Sequence, residues 1–404
     1  FNKPNKPSNN PSNYRPISLI SNLSKIMEKI ITSKLSNWAE ANKLLNKEQA
    51  GFRKHKSTSD KIFQLSQSAM HAKNIKHFSA AIFMDVEKAF DKVWHAGLIH
   101  SLINLGLPSI YVRYINSFIS DRIIFFEIQG IKSPLIKLNF GVPQGSPLSP
   151  ILFILFVTDI PTPTTRNTFL TQFADDIKIF SHSRSLKMVQ KNLQLAMDQI
   201  MAFCGERRIA INEDKTFELI FCPRLRKTAT EKLAIPIKCA NKSIPFRDQG
   251  KFLGVIFDNK LSFRPHIDSI TARAKARCAG LKRLADQHFG PPPKTMIRLF
   301  NSFIRPLFEY GHTASITVPA TITKSWEIIQ TSFLRSVLHI PRINNDILRK
   351  LANQPKITDR IINRAKSWYT KTLALNPDIT NFIHNIPISY NPTKITPNKI
   401  LTNK

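Results

Sequence analysis

Three carboxylates stand out by position. Asp85 closes a short apolar run, Ala80 to Asp85, that suits a buried strand. Asp175 and Asp176 sit between two β-type runs, Phe169 to Phe173 and Ile177 to Phe180, in a strand–turn–strand pattern. An acid at the end of an apolar strand costs solvation energy unless a cation compensates it. Hard divalent cations take oxygen ligands and are the natural compensation. If the two strands lie side by side, Asp85 and Asp175 meet at one sheet edge. There they can hold two Mg²⁺ ions about 3.5–4 Å apart, the clamp for in-line phosphoryl displacement. Taken alone, Ala174-Asp175-Asp176 is also what an ordinary polar turn looks like, so its meaning depends on its companions.

Two further segments could serve such a site. Gly141-Val142-Pro143-Gln144-Gly145-Ser146-Pro147-Leu148-Ser149-Pro150 has a Gly and Pro density that demands special backbone geometry leading into a helix. Gly145 would let backbone approach a planar ligand such as a base pair, and the Gln144 amide offers both donor and acceptor. A strand-to-helix loop without a ligand is the plainer reading. Gln49-Ala50-Gly51-Phe52-Arg53-Lys54-His55-Lys56-Ser57-Thr58 gathers basic side chains beside a glycine, which suits a triphosphate or backbone phosphates. A solvated basic loop fits any one of those residues as well. Between Ile267 and His288, Arg273, Lys275, Arg277, Lys282 and Arg283 form a basic helix suited to tracking a phosphate backbone, or simply a solvated face.

The elements that must position these residues follow from periodicity. Residues 1–13 read as an extended lead-in. Leu23, Ile26, Met27, Ile30, Ile31 and Leu35 recur at helical spacing. A helical stretch from about Ala96 to Ile119 is interrupted at Gly106 to Pro108. Ile123 to Ile128 and Leu135 to Phe140 suggest a hairpin with Gly130 in its turn. Pro147 and Pro150 introduce an apolar helix to Thr158, and Leu186 to Met201 is strongly amphipathic. Further hairpins are expected around Asn212 to Lys215 and around Asp258 to Lys260. From about Pro265 the pattern is helical, with a break at Gly290 to Pro293 and a second helix from Lys294 to about Tyr310. Asn376 to Lys404 reads as poorly ordered.

Composition narrows the partners. The 404 residues suffice for two or three packed subdomains, and 42% hydrophobic content excludes wholesale disorder. Lys plus Arg number 59 against 27 Asp plus Glu, a formal +32, which points to a polyanion, most simply nucleic acid. Cys204, Cys222, Cys239 and Cys278 are scattered, with no zinc spacing and no disulfide framework, so buried free thiols are expected. No apolar run approaches ~18 residues, so no membrane partner is expected. The chain opens on Phe1 rather than Met and is expected to be a piece of something longer.

In their order these segments resemble the reverse transcriptase domain of non-long-terminal-repeat retrotransposons of the jockey type and related long interspersed elements. Tyr14-Arg15-Pro16-Ile17-Ser18-Leu19 is similar to the opening block, Gln49 to Thr58 to the second, and Phe83 to His95 to the first catalytic block. Gly141 to Pro150 resembles the template-and-nucleotide block and Phe173 to Asp176 the second catalytic block. Asn212 to Thr216 and Phe252 to Phe263 resemble the last palm blocks, and Lys294 to Ile340 the stretch beyond them. The resemblance implies an α+β right-hand polymerase fold. Its fingers would span 14–79 and its palm, with an antiparallel sheet, 80–264, with a fingers insertion around 100–138. A helical thumb would follow at 265–345, then a helical extension and poorly ordered tail at 346–404.

The implied activity is RNA-directed DNA polymerisation on an RNA template, with a DNA primer or target and dNTPs. Asp85, Asp175 and the Val86 carbonyl would be ligands of two Mg²⁺ ions, with Mn²⁺ able to substitute. Asp176 would complete the acidic set, and Lys215 would neutralise or protonate the departing pyrophosphate. Phe90 would act as a steric gate against a ribose 2′-hydroxyl; otherwise it is a core Phe. Gln144 and Gly145 would meet the nascent base pair, and Arg15 and Arg53 the triphosphate. No block resembles an endonuclease, a ribonuclease H or a Cys/His knuckle. An endonuclease is expected elsewhere in the full-length protein, and nucleus and cytoplasm as its locations. The alternative is a catalytically silent nucleic-acid-binding fragment of such an element. An RNA-templated RNA polymerase and a maturase-like factor are weaker readings.

Overall fold

The longest apolar alternations of the middle segment build one four-stranded sheet. The computed structural model describes residues 7, 10, 13–128, 130–221, 235–240, 242–286, 289–315, 318 and 320–385. In chain order, α1 (Asn22–Ala41) and α2 (Thr58–Asn74) precede β1 (Phe78–Asp85). Then come α3 (His95–Asn104), α4 (Ser109–Ile119), β2 (Arg122–Ile124), β3 (Glu127–Ile128), β4 (Ile131–Lys132), β5 (Ile136–Leu138) and α5 (Ser149–Phe156). β6 (Thr168–Phe173), β7 (Asp176–Ser183), α6 (Leu186–Glu206) and β8 (Phe217–Phe221) follow. β6, β7, β1 and β8 lie side by side in that order, every pair antiparallel.

Both faces of this sheet are covered, which is why its strands read as nearly continuous apolar runs. On one face Ala80, Ile82 and Met84 of β1 and Ile177 and Ile179 of β7 join a core with α1, α3, α4, α5 and α6. On the other, Ala81, Phe83 and Phe180 pack against Ile62, Leu65 and Ala69 of α2. Phe252 and Phe257 of the hairpin formed by Gln249–Phe252 and Val255–Asp258 complete that second core. The apolar stretch after Pro147 and Pro150 is helical as expected, with Pro150 in the first turn, and it is enclosed on every side: Ile151 to Phe156 are all buried. Each such side chain contributes about 1.5–3 kcal/mol by burial, far more than the few tenths by which β-branching disfavours a helix.

A third core belongs to the C-terminal helices. Ile267, Ile270, Phe300, Phe308, Trp326 and Phe333 meet there. Asp60 ties these helices to α2. It completes a capping box with Ser57 and also accepts hydrogen bonds from Trp368 Nε1 at 2.8 Å and Asn376 Nδ2 at 3.0 Å.

Several expectations are met with shifts. The stretch 123–140 forms two nested ladders, β2 with β5 and β3 with β4, with Gly130 at the inner turn. Asp176 is the first residue of β7 rather than part of the turn. Residues 212–215 form a turn between the bridge of Ile211 to Val86 and β8, and β8 pairs with β1, so no separate hairpin exists there. The hairpin near 258 turns at Leu253-Gly254, because Gly254 supplies φ +83. Asp258 instead ends the hairpin and accepts hydrogen bonds from Ser262 N and Phe263 N, starting helix Arg264–Lys282. Helix 294–310 is two helices, Pro293–Phe303 and Arg305–Glu309, since Pro306 lacks an N–H to donate into a continuous helix. Pro377–Asn385, expected to be poorly ordered, is helical, with Ile379 and Ile383 buried against Phe63 and Tyr369. The rest of the tail, and Cys222, lie outside the described residues. Cys204, Cys239 and Cys278 are buried free thiols.

Candidate active site

The register of the sheet brings the acids together. Asp85 ends β1 directly opposite Asp176, the first residue of β7. Asp175 precedes it in the two-residue turn that joins Phe173 to Asp176. Burial pushes Asp176 up to about 6, with the charges of Asp175 and Asp85 adding to the rise and Lys215 opposing it. Asp175 is raised as well, by burial first and then by Asp85, while its own backbone hydrogen bond, Arg15 and Lys215 pull it down. Burial thus disfavours the charged forms of these acids, a setting in which a bound cation would stabilise them.

Lys215 supplies one cation, paired directly with Asp85. The chain after α6 runs back along the end of β1: Glu87 N donates to Ala210 O, and Asn212 N donates to Asp85 O at 2.8 Å. Val86 is bridged to Ile211 in the same stretch. The turn that follows carries Lys215 over the acids, with Nζ 2.6 Å from Asp85 Oδ2. More than half of the lysine side chain remains exposed, so it can move.

The Gly141–Pro150 segment is stitched to the chain just after Asp85. Val142 N donates to Phe90 O, and Gly141 N to Val93 O. Gly141 has φ +84, and a Cβ there would lie 2.5 Å from Asp91 O. Gln144 Nε2 donates to Asp91 Oδ1 at 2.8 Å, and Gln144 O accepts from Ser18 N at 2.7 Å. Gly145, at φ +114, lies against the Ser18 carbonyl. The Phe90 ring packs on Phe153, centroids 5.2 Å apart, and meets the edge of Phe52 at 6.3 Å. It is half-buried, neither a sealed core residue nor a free one.

Arg15 reaches the acids through its field at Asp175. Arg53 is paired with an acid of α1. Its Nε and Nη2 bind the two Glu40 oxygens at 2.8 and 2.6 Å, and its Nη1 donates to Asn46 O and Gln49 O. In this structure its guanidinium shapes the 46–53 loop; a triphosphate would have to draw it away from Glu40. Three contributors were not singled out from the sequence: Gln49, Asp91 and Glu28. Glu28 is fully buried, accepts from Ser24 and Ser146, and so anchors α1 to the Gly145 loop. Glu28 carried no signal in the sequence, because α1 also holds Lys25, Lys29, Lys34 and Glu40 and an acid there reads as part of a solvated face. Gln49 and Asp91 lie in the motif segments 49–58 and 83–95, but nothing in the sequence marked them individually.

No group of three or more His, Cys, Asp or Glu side chains converges into a ready-made metal cage among the described residues. The donor set nevertheless suits Mg²⁺, which is commonly held by one or two carboxylates together with substrate phosphates. No helix among the described residues is long and apolar enough to cross a membrane.

An antiparallel sheet ending in an acidic strand end and an acidic hairpin is the palm of a right-hand polymerase. A reverse transcriptase (RNA-dependent DNA polymerase) family model matches residues 2–257, and the chain belongs to that family. The probable RNA-directed DNA polymerase from transposon BS of Drosophila melanogaster is 28% identical over 380 residues, covering 92% of this chain and 41% of that protein. The RNA-directed DNA polymerase from mobile element jockey of the same organism is 28% identical over 374 residues, covering 90% and 40%. The chain thus spans about two fifths of the length of these relatives. Among solved structures, apo telomerase from Candida Tropicalis aligns with a TM-score of 0.42 at 15% identity, covering 89% of this chain and 59% of that one.

Proposed function

We propose that this chain is the polymerising part of a non-long-terminal-repeat retrotransposon reverse transcriptase, extending a DNA primer on an RNA template with dNTPs. The observation that carries the reading is the Asp85–Asp176 register with Asp175 beside it, where burial disfavours the charged forms of Asp175 and Asp176. Asp85, Asp175 and the Val86 carbonyl would hold two Mg²⁺ ions, or Mn²⁺ in their place. When bound, these ions supply Lewis-acid activation of the primer 3′-hydroxyl and charge stabilisation of the pyrophosphate.

The chain's own residues do the rest. Asp176 adds to the negative field that attracts the cations. Lys215 Nζ, paired with Asp85 Oδ2 and more than half exposed, would be free to offer its proton, or its charge, to the departing pyrophosphate if Mg²⁺ took its place on Asp85. Arg15 faces the triphosphate from the N-terminal segment. Phe90, seated on Phe153, stands where a 2′-hydroxyl would clash. Gln144, held by Asp91, and Gly145 support the nascent base pair.

The division into fingers, palm, thumb and extension belongs to the same proposal. It is supported by the two cores flanking the sheet and the separate core of the C-terminal helices. An endonuclease in the full-length protein, and work in both cytoplasm and nucleus, are likewise proposed. The formal charge of +32 also fits a silent nucleic-acid-binding fragment. Mg²⁺-dependent incorporation of dTTP on oligo(dT)-primed poly(rA) is the expected activity. Salt-sensitive RNA binding without incorporation would favour the silent fragment.

A further inference from the structure

The turn that carries Asp175 is held from outside its own hairpin. Phe173 and Asp176 are the last pair of the β6–β7 ladder, leaving Ala174 and Asp175 as a two-residue loop. Ala174 has φ +55. Hairpin loops of this length place Gly or Asn at positive φ, so alanine there is a poor local choice. Something else must hold the backbone.

One side-chain amide does so. Gln49 is 2% exposed. Its Oε1 accepts Ala174 N–H at 2.8 Å and Gly51 N–H at 2.8 Å, and its Nε2 donates to Ala174 O at 3.3 Å. Both backbone polar groups of Ala174 are thereby taken by a residue 125 positions away. The segment is fixed in turn against β6: Ala50 N donates to Gln172 O, and Gln172 N donates to Glu48 O. Gly51 gives a second, independent sign of close fit, because a Cβ there would lie 2.4 Å from Ala174 N. Only glycine lets the two backbones meet so closely.

We propose that Gln49 and Gly51 are positioning residues for nucleotidyl transfer: they fix the Ala174-Asp175 turn, and with it the place of the Asp175 carboxylate relative to Asp85. The proposal rests on the polymerase reading above. It separates Gln49 from the basic side chains of its own segment, whose sequence suggests phosphate binding. A phosphate-binding Gln49 would act on the KM for dNTP. A positioning Gln49 acts on kcat.

The test compares Gln49→Met, Gln49→Glu and Gly51→Ala with the parent chain. Gln49→Met keeps length and removes the hydrogen bonds. Gln49→Glu restores the acceptor for Ala174 N–H and Gly51 N–H. For Gln49→Met and Gly51→Ala, kcat should fall by roughly 100-fold, the scale of a small misplacement of reacting groups, with the KM for dTTP within about threefold of the parent. Gln49→Glu should recover part of kcat. Hydrogen exchange at the Ala174 amide should accelerate in Gln49→Met and stay slow in Gln49→Glu. A raised KM with kcat intact, or kcat unchanged in Gln49→Met, overturns the proposal. If the parent chain shows no extension at all, the polymerase reading fails by itself. The exchange measurement then decides the clamp, and an unaltered Ala174 rate in Gln49→Met sinks it.

Discussion

Lys215 shows how the site balances charge. Its Nζ sits on Asp85 Oδ2, while burial raises Asp175 and Asp176 against it. On the proposed function, this lysine is counter-ion to the acids and then partner of the leaving group. Lys215→Ala should therefore lower kcat by about 10²-fold, the low end for a positioned proton donor, with little change in primer–template affinity. Single-turnover extension measured beside filter binding checks this; an affinity loss with kcat preserved would contradict it. At this scale the sequence is informative where chemistry is concentrated. Asp85, Asp175, Asp176 and Lys215 all meet at one sheet end. It is silent where a residue acts through a distant backbone. Nothing about Gln49 announces Ala174, and nothing about Arg53 announces Glu40, because both partnerships depend on how separate loops come together.

Elements were legible by type and less so by face and boundary. The periodicity of α1 predicts a helix, and the helix is present. Its buried residues are Glu28, Ile31, Leu35 and Ala39, whereas Leu23, Ile26, Met27 and Ile30 are exposed. Periodicity reports amphipathicity but not which stripe is buried: Ile31, Leu35 and Ala39 join the core, and Glu28 beside them accepts from Ser146 of the Gly145 loop. Strand β8 carries a testable oddity. Glu218 is fully buried in a strand whose other residues are apolar, beside Gln190. Burial pushes it up to about 8, with the Gln190 side chain pulling the other way. The folded chain therefore keeps Glu218 protonated at pH values where the unfolded chain, at 4.5, has ionised it. Its contribution to stability is fully present below 4.5, is lost as pH rises toward about 8, and changes no further above that. Thermal melts of the parent and Glu218→Gln between pH 5 and pH 8.5 should diverge, the variant gaining Tm at the alkaline end by several degrees. Parallel curves would contradict this assignment.

The whole molecule combines a sheet-centred core with a basic, helical C-terminal third that begins at Arg264. Its architecture was legible because seven sequence blocks fall in order along the chain. The junctions were not. Helix Pro377–Asn385 folds back onto α2 through Phe63, and Asp60 of α2 accepts from Trp368 and Asn376. Such contacts join residues some 300 positions apart and leave no periodic trace in the sequence. The net charge acts at this scale too. Binding to single-stranded RNA should weaken steeply with salt. A log–log slope steeper than about −3 would correspond to four or more phosphates neutralised at about 0.7 each. Titrations between 50 and 300 mM KCl read this directly, and a flat salt response would contradict nucleic-acid binding as the purpose of the charge.

The central claim is that Asp175, brought beside Asp85 and Asp176 by the β1–β7 register, makes this chain a polymerase. Its most direct measurement is Mg²⁺-dependent dTTP incorporation on oligo(dT)-primed poly(rA) by the parent chain and Asp175→Asn, with RNA binding measured on both. The parent should extend and lose extension with chelator. Asp175→Asn should bind RNA equally well and extend at least 10³-fold more slowly, as expected for removing a group on which charge stabilisation in the transition state depends. Equal extension by both proteins, or none by the parent under any divalent cation, would contradict the account.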